Sequence, residues 1–148
     1  MIPHLLRRKK QGRIGNRTIM GIVYYNSPVP RENDKWKVTI EEYPNSNYPP
    51  HVPGFAYVIS PDLPSLLYQQ SLTVPYFWID DIYVTGMLAQ DLNVTFQDIG
   101  RFCSVVPKEV GDKIQDSSLF FALMGGLTEK YSMWYELLKM RNLDNRII

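Results

Sequence analysis

Apolar residues in this chain fall in short runs, separated by proline-rich and polar stretches, and the runs predict strands interleaved with helices. Ile19-Met20-Gly21-Ile22-Val23-Tyr24-Tyr25 is β-branched and aromatic, which predicts a buried strand. Asn26 to Asp34 reads as a loop from its prolines and turn formers. Lys35-Trp36-Lys37-Val38-Thr39-Ile40 then alternates polar and apolar, as a half-exposed strand does. Tyr43 to Pro53 carries Pro44, Pro49, Pro50 and Pro53, so it cannot be helical and predicts a long extended loop, of a length that tends to be functional. Gly54 to Ser60 reads as a strand entered through a glycine. Ser60-Pro61-Asp62 is a helix start with an N-cap serine, proline at the first position and an acid in the first turn. That helix should reach about Gln70 and bury Leu63, Leu66 and Leu67.

Further along, Tyr76 to Ile79 predicts a short strand that delivers Asp80 and Asp81 to a helix over roughly 81–90. Val94-Thr95-Phe96 and Phe102 to Val106 predict more short strands. A charged connector follows at 107–117, then a strand-like run from Leu119 to Leu123 that ends at Gly125-Gly126. A last helix, about Thr128 to Met140, carries Trp134, Leu137 and Leu138 at helical spacing, which reads as a core face. Ile2 to Leu6 is a short apolar start that could finish a helix. The succession predicts an α/β layered domain without internal repeats.

Composition narrows the function classes. The 148 residues are 45% hydrophobic, enough for one domain or a piece of one. A net charge of +1 argues against a broad nucleic-acid surface. The run Arg7-Arg8-Lys9-Lys10, continued by Arg13 and Arg17, reads as a solvated surface or terminus. No apolar stretch is long enough to span a membrane, and no signal-peptide pattern opens the chain. Cys103 is the only cysteine, so no internal disulfide can form, and its apolar setting reads as a small buried hydrophobe. His4 and His51 are remote from it in sequence, and Cys/His metal spacing is absent. Asn16-Arg17-Thr18 and Asn93-Val94-Thr95 are glycosylation sequons if the chain enters the secretory pathway.

The candidate chemistry lies in Phe77-Trp78-Ile79-Asp80-Asp81-Ile82-Tyr83-Val84-Thr85-Gly86, which sets two adjacent carboxylates in an apolar and aromatic run. An unpaired buried carboxylate costs several kcal/mol or more, so a tandem pair calls for a reason. Like charges this close push one pKa upward, which is one way to make a general base. The alternative is an N-cap, with Asp80 or Asp81 starting the helix that follows. Both can hold at one residue.

Three separated motifs give these residues a context: Pro30-Arg31 with Lys35-Trp36-Lys37-Val38; Tyr43-Pro44, Tyr48-Pro49-Pro50 and Gly54 with Ala56-Tyr57-Val58-Ile59-Ser60; and Ile79 to Gly86. In order and spacing, from about residue 19 to 100, they resemble the C-terminal part of a β-1,3-glycosyltransferase of the galactosyltransferase (GT31-type) family. The resemblance implies a partial GT-A-type fold, a mixed sheet flanked by helices, with residues 1–148 as the C-terminal part of one catalytic domain and the N-terminal nucleotide-binding half missing. It implies a hexosyltransferase that moves galactose or an N-acetylhexosamine from a UDP-sugar to a glycan hydroxyl, with inversion and in β-1,3 linkage.

Within that resemblance, Asp81 is the general base. Asp80, where the family usually has glutamate, positions the acceptor or tunes its neighbour. Trp36, Tyr48, Pro50, Gly54 and Tyr57 are the implied substrate-binding residues, the aromatic faces packing against a sugar ring and Gly54 admitting close approach. A divalent cation, Mn2+ or Mg2+, is expected for the complete enzyme. Its partners are a UDP-sugar donor and a glycan or glycoprotein acceptor, and its place is the lumenal side of the Golgi membrane, behind an N-terminal anchor absent from this sequence.

The chain departs from the family pattern in three ways. It has no Asp-x-Asp metal motif, so no cation ligands are identifiable in it. His51-Val52 stands where the family often has Tyr-Cys after the double proline, which removes a usual disulfide. No histidine among residues 119–130 matches the one that can complete the metal shell. These departures leave a second expectation open: an inactive fragment or relative that binds a glycan or a partner enzyme.

Overall fold

The computed structural model describes residues 15–32, 35–105, 119–123 and 125–144, the last five of these by their backbone. The expectations for Ile2 to Leu6, for the basic run at 7–10 with Arg13, and for the connector at 107–117 lie outside the described residues. The chain divides into two units, Met1–Ile99 and Gly100–Ile148.

The first unit is built on a three-stranded mixed sheet of order β2-β1-β3, with β1 at Thr18–Gly21, β2 at Tyr57–Ile59 and β3 at Thr95–Asp98. β1 pairs antiparallel with β2, Ile19 opposite Ile59, and parallel with β3, Ile19 opposite Phe96. All four residues of β1 are buried, as expected of a central strand covered on both faces. The predicted strand is therefore present but ends four residues early. Its last residue has to be glycine, since a Cβ at Gly21 would overlap Val52 Cγ1 and come within 3.2 Å of the Ala56 carbonyl. Beyond it only isolated bridges follow among the described residues: Tyr24 with His51, whose N–H groups reach each other's carbonyls at 2.9 and 3.1 Å, and Pro28 with Asn47.

Helix α1, Leu63–Ser71, packs Leu63 and Leu67 into a cluster with Ile19, Val23, Val52, Leu88, Ala89 and Leu92, while Leu66 is only partly buried against it. The expected serine cap is corrected. Ser60 Oγ accepts from the Thr18 N–H at 3.0 Å, and Asp62 Oδ2 accepts from the Arg17 N–H at 2.9 Å. Both side chains tie down the start of β1, so the helix begins at Leu63 with proline in its first turn. The Ser60 side chain and the Arg17 N–H hold the Asp62 carboxyl below its usual range, in that order of effect.

Two further expectations fail for identifiable reasons. Lys35 to Ile40 forms no strand. Arg31 donates to the carbonyls of Val38, Thr39, Tyr43 and Asn45 at 2.6–3.0 Å, removing the acceptors a ladder would need. Thr39 and Glu42 instead form a reciprocal cap, Thr39 N–H to Glu42 Oε2 at 2.8 Å and Glu42 N–H to Thr39 Oγ1 at 3.2 Å, around one helical turn. Tyr76 to Ile79 does alternate exposed and buried, with Phe77 and Ile79 inside, yet it lies in no ladder. The burial period of a strand is there without a partner. Phe77 and Ile79 join Val29, Val38, Tyr43, Tyr48 and Ile82 in a second, aromatic cluster with the proline-rich loop, which forms no helix, as expected.

The second unit pairs β4, Cys103–Ser104, parallel with β5, Phe121–Ala122, and stacks Phe102 on Phe120 at 4.8 Å. Cys103 is buried, as its setting predicted. Helix α2 spans Leu127–Asp144. Its core reading is overturned: Trp134, Leu137 and Leu138 are 59%, 41% and 38% exposed. Helical spacing fixes that these side chains share a helix, not that a neighbour covers them. Among the described residues, no helix is long and apolar enough to cross a membrane.

Candidate active site

The acid pair sits where the chain enters a helix of unusual width. Tyr83 N–H bonds back to Ile79 O at 2.9 Å, an ordinary helical step, but Leu88 N–H reaches Tyr83 O at 2.9 Å, one residue further. Ile82–Met87 is thus a single π-helical turn, shorter and wider than the predicted helix over 81–90. Such insertions recur at functional sites.

Asp81 is half-buried and held on both sides. Its Oδ1 accepts from the Ile82 N–H at 2.8 Å and its Oδ2 from the Gly54 N–H at 2.7 Å. The first contact is the capping role; the second ties the carboxylate to the proline-rich loop. Asp80 is exposed. A methyl group added at Gly54 would meet the Asp81 carboxylate at 3.7 Å, an ordinary contact, so the room this glycine leaves lies beside the acid.

Thr85, fully buried, locks the same two segments together. Its hydroxyl accepts from the Val52 N–H at 2.9 Å, and its proton has the carbonyls of Asp81 at 2.7 Å and Val52 at 3.0 Å within reach. Thr85→Val keeps the shape but leaves a buried N–H unpaired, which should cost about 1–3 kcal/mol. Thermal melting reads this directly, and an unchanged midpoint would mean that the Val52 N–H finds another acceptor. Gly86 completes the joint: a Cβ there would press on the Pro49 ring at 3.1 Å and the His51 Cβ at 3.3 Å.

In front of Asp81 lies a cavity of about 580 Å³, lined by Tyr24, Ser27, Pro28, Pro30, Trp36, Tyr48, His51, Pro53, Gly54, Phe55 and residues 79–82. Asp80, Asp81, Trp36, Tyr48 and Gly54 are therefore brought together on one wall-lined space. Pro50 and Tyr57 do not line it. Pro50 is exposed, and Tyr57 packs half-buried against the Ile19 cluster. Burial pushes the Tyr57 phenol up, and the Asp80 and Asp81 charges add to this in that order. Trp36 is stacked on Trp78, centroids 6.1 Å apart, with the Lys35 ammonium 4.6 Å from its ring.

Sequence reading missed Tyr24, Ser27, His51 and Phe55. The Tyr24–His51 bridge is what carries two of them into the cavity, and no local pattern announces a bridge between segments this far apart. His51 is buried with Nδ1 2.9 Å from the Pro49 carbonyl, which fixes the proton on Nδ1.

The donor set does not suit the cation that the resemblance implies. Among the described residues no three His, Cys, Asp or Glu side chains converge. Asp80 and Asp81 offer two adjacent carboxylates, one of them held by backbone N–H groups, where a hard cation takes six or more oxygens. The described residues do not build that site.

A concave cavity with aromatic residues in its wall and a backbone-held carboxylate among its lining has the general form of a ligand site. The galactosyltransferase family profile matches residues 1–99, and the chain belongs to that family. It is 29% identical over 131 residues to β-1,3-galactosyltransferase brn of Drosophila melanogaster, covering 88% of this chain and 40% of that protein. Identity is 36% over 72 residues to β-1,3-galactosyltransferase 5 of Homo sapiens, covering 49% of this chain and 23% of that protein. For β-1,3-galactosyltransferase 1 of Mus musculus it is 34% over 85 residues, covering 57% and 26%. The chain spans 40% or less of the length of these relatives.

Proposed function

We propose that the complete protein is an inverting hexosyltransferase that moves galactose or an N-acetylhexosamine from a UDP-sugar to a glycan hydroxyl, in β-1,3 linkage, with this chain supplying the C-terminal part of a GT-A-type catalytic domain. The observation that carries the reading is the Asp81 carboxylate, pinned by the Ile82 and Gly54 N–H groups on the rim of the cavity. An ionised carboxylate has about four lone-pair sites, so two N–H donors leave it able to accept a further proton.

In the transfer, the acceptor oxygen forms a bond to the anomeric carbon as the bond from that carbon to the diphosphate oxygen breaks. UDP leaves with the bonding electrons, and the acceptor's proton passes to Asp81. Attack from the face opposite the leaving group inverts the centre. The protein's contribution is orientation: a carboxylate fixed by two backbone donors needs little reorganisation at the moment of attack. A UDP-sugar donor, a glycan or glycoprotein acceptor, a divalent cation bound outside the described residues, and a lumenal Golgi position belong to the same proposal.

The test is incubation of the complete protein with UDP-galactose and a β-linked glycoside, followed by NMR of the product. A β-1,3-linked galactoside is expected; an α-linked product would sink the inverting assignment. A second reading, a binder of glycans or of a partner enzyme without turnover, is favoured by the structural use of both Asp81 oxygens. Saturable glycoside binding with no transfer from any UDP-hexose would establish it.

A further inference from the structure

Two residues that line the cavity carry hydroxyls that the transfer leaves unused. Tyr48 Oη and Ser27 Oγ are shielded from water and have no hydrogen-bond partner, and both residues line the cavity. Tyr48 is 6% exposed. Its ring lies 5.3 Å from Tyr43, 6.0 Å from His51 and 6.2 Å from Phe77, centroid to centroid, so packing keeps the phenol from swinging out to solvent. Ser27 is fixed beside it through the main chain, its carbonyl accepting from the Tyr48 N–H at 2.9 Å. An unpartnered buried hydroxyl is destabilising, and two of them stand just behind the wall of one cavity, where a small shift of that wall on binding would bring them to a ligand.

We propose that Tyr48 and Ser27 are specificity residues of the acceptor subsite, pairing with ring hydroxyls of the acceptor sugar that do not react. This rests on the transferase reading and deepens it. The chemistry suits the ligand. A hydroxyl both donates and accepts, as a phenol and a serine do, whereas an ammonium only donates and a carboxylate only accepts. Burial pushes the Tyr48 phenol up, so it keeps its proton and can donate across the neutral range. The acceptor is then a neutral sugar chosen by where its hydroxyls stand, and an analogue lacking the matched hydroxyl restores the unpaired state.

The experiment titrates the complete protein with methyl β-D-galactopyranoside, methyl N-acetyl-β-D-glucosaminide and their monodeoxy derivatives. Tryptophan fluorescence is the signal, since Trp36 lines the cavity. The wild-type protein is expected to bind at least one parent glycoside and to bind one of its monodeoxy derivatives about tenfold more weakly. Tyr48→Phe should bind parent and derivative alike, each at the weaker level, and should melt at the same temperature or higher because it sheds an unpaired buried group. Ser27→Ala should flatten the response to a different derivative. If Tyr48→Phe binds as the wild type does and keeps the same ranking, the inference falls and the transferase reading stands. A lower melting temperature for Tyr48→Phe also overturns it, since the phenol is then already paired in the free protein. If neither parent glycoside binds the wild-type protein, the inference falls, while the transferase reading is decided separately by its transfer product.

Discussion

Asp81→Asn in the complete protein should lower turnover about 10²–10⁴-fold, the usual contribution of a positioned general base. The substitution separates charge from shape. An asparagine keeps an oxygen for the Ile82 N–H but turns its amide toward the Gly54 N–H, donor against donor. Some loosening of the loop at Pro53 and Gly54 is therefore part of the expected result, and it should appear as a modest drop in melting temperature. The loss of rate should far exceed what that drop explains, because an amide cannot take the acceptor's proton. Initial rates with UDP-galactose measure it, and near-normal turnover would remove Asp81 as the base.

The largest effect on stability should come from Leu63→Ala, at about 2–5 kcal/mol. Leu63 is 0% exposed and opens α1 at the point where the helix meets Ile19 of the central strand and Val52 of the loop. Truncation there leaves a cavity shared by three segments, which limits how far any one of them can relax into it. Against a typical total of about 5–15 kcal/mol, such a loss is a large fraction of what keeps a domain folded. Denaturant unfolding followed by tryptophan fluorescence gives the number. A change below about 1 kcal/mol would mean that the site collapses freely, and that this cluster is not the main core of the first unit.

Those parts of the fold that depend on local chemistry were legible before the structure. Prolines at 44, 49, 50 and 53 ruled out helix, the β-branched run after Thr18 marked the central strand, and the leucines at 63 and 67 marked the buried face of α1. What escaped depends on side chains acting at a distance. Arg31 reaches up to fourteen residues along the chain to take carbonyls that a strand would have used. Ser60 and Asp62 serve the start of β1 rather than the helix they precede. Trp134, Leu137 and Leu138 have the spacing of a core face and remain exposed, since periodicity describes the helix and says nothing of what lies against it. At the site, the acid pair, Trp36, Tyr48 and Gly54 were visible from sequence because motif and chemistry coincide. His51 and Tyr24 were not, because a two-residue bridge is all that recruits them.

The wide turn after Asp81 has a consequence for how this site can change. A π-turn is an ordinary helix with one residue too many, and each residue advances a helix by roughly 100°. That surplus residue sets the angular phase between the acid at one end and Leu88 and Leu92, anchored in the core, at the other. Removing a single residue between 82 and 87 would restore a regular helix and turn the carboxylate away from the Gly54 N–H. Aim and anchorage are thus joined through one residue of surplus length, so an exchange of side chains leaves the direction of the acid intact where a deletion resets it.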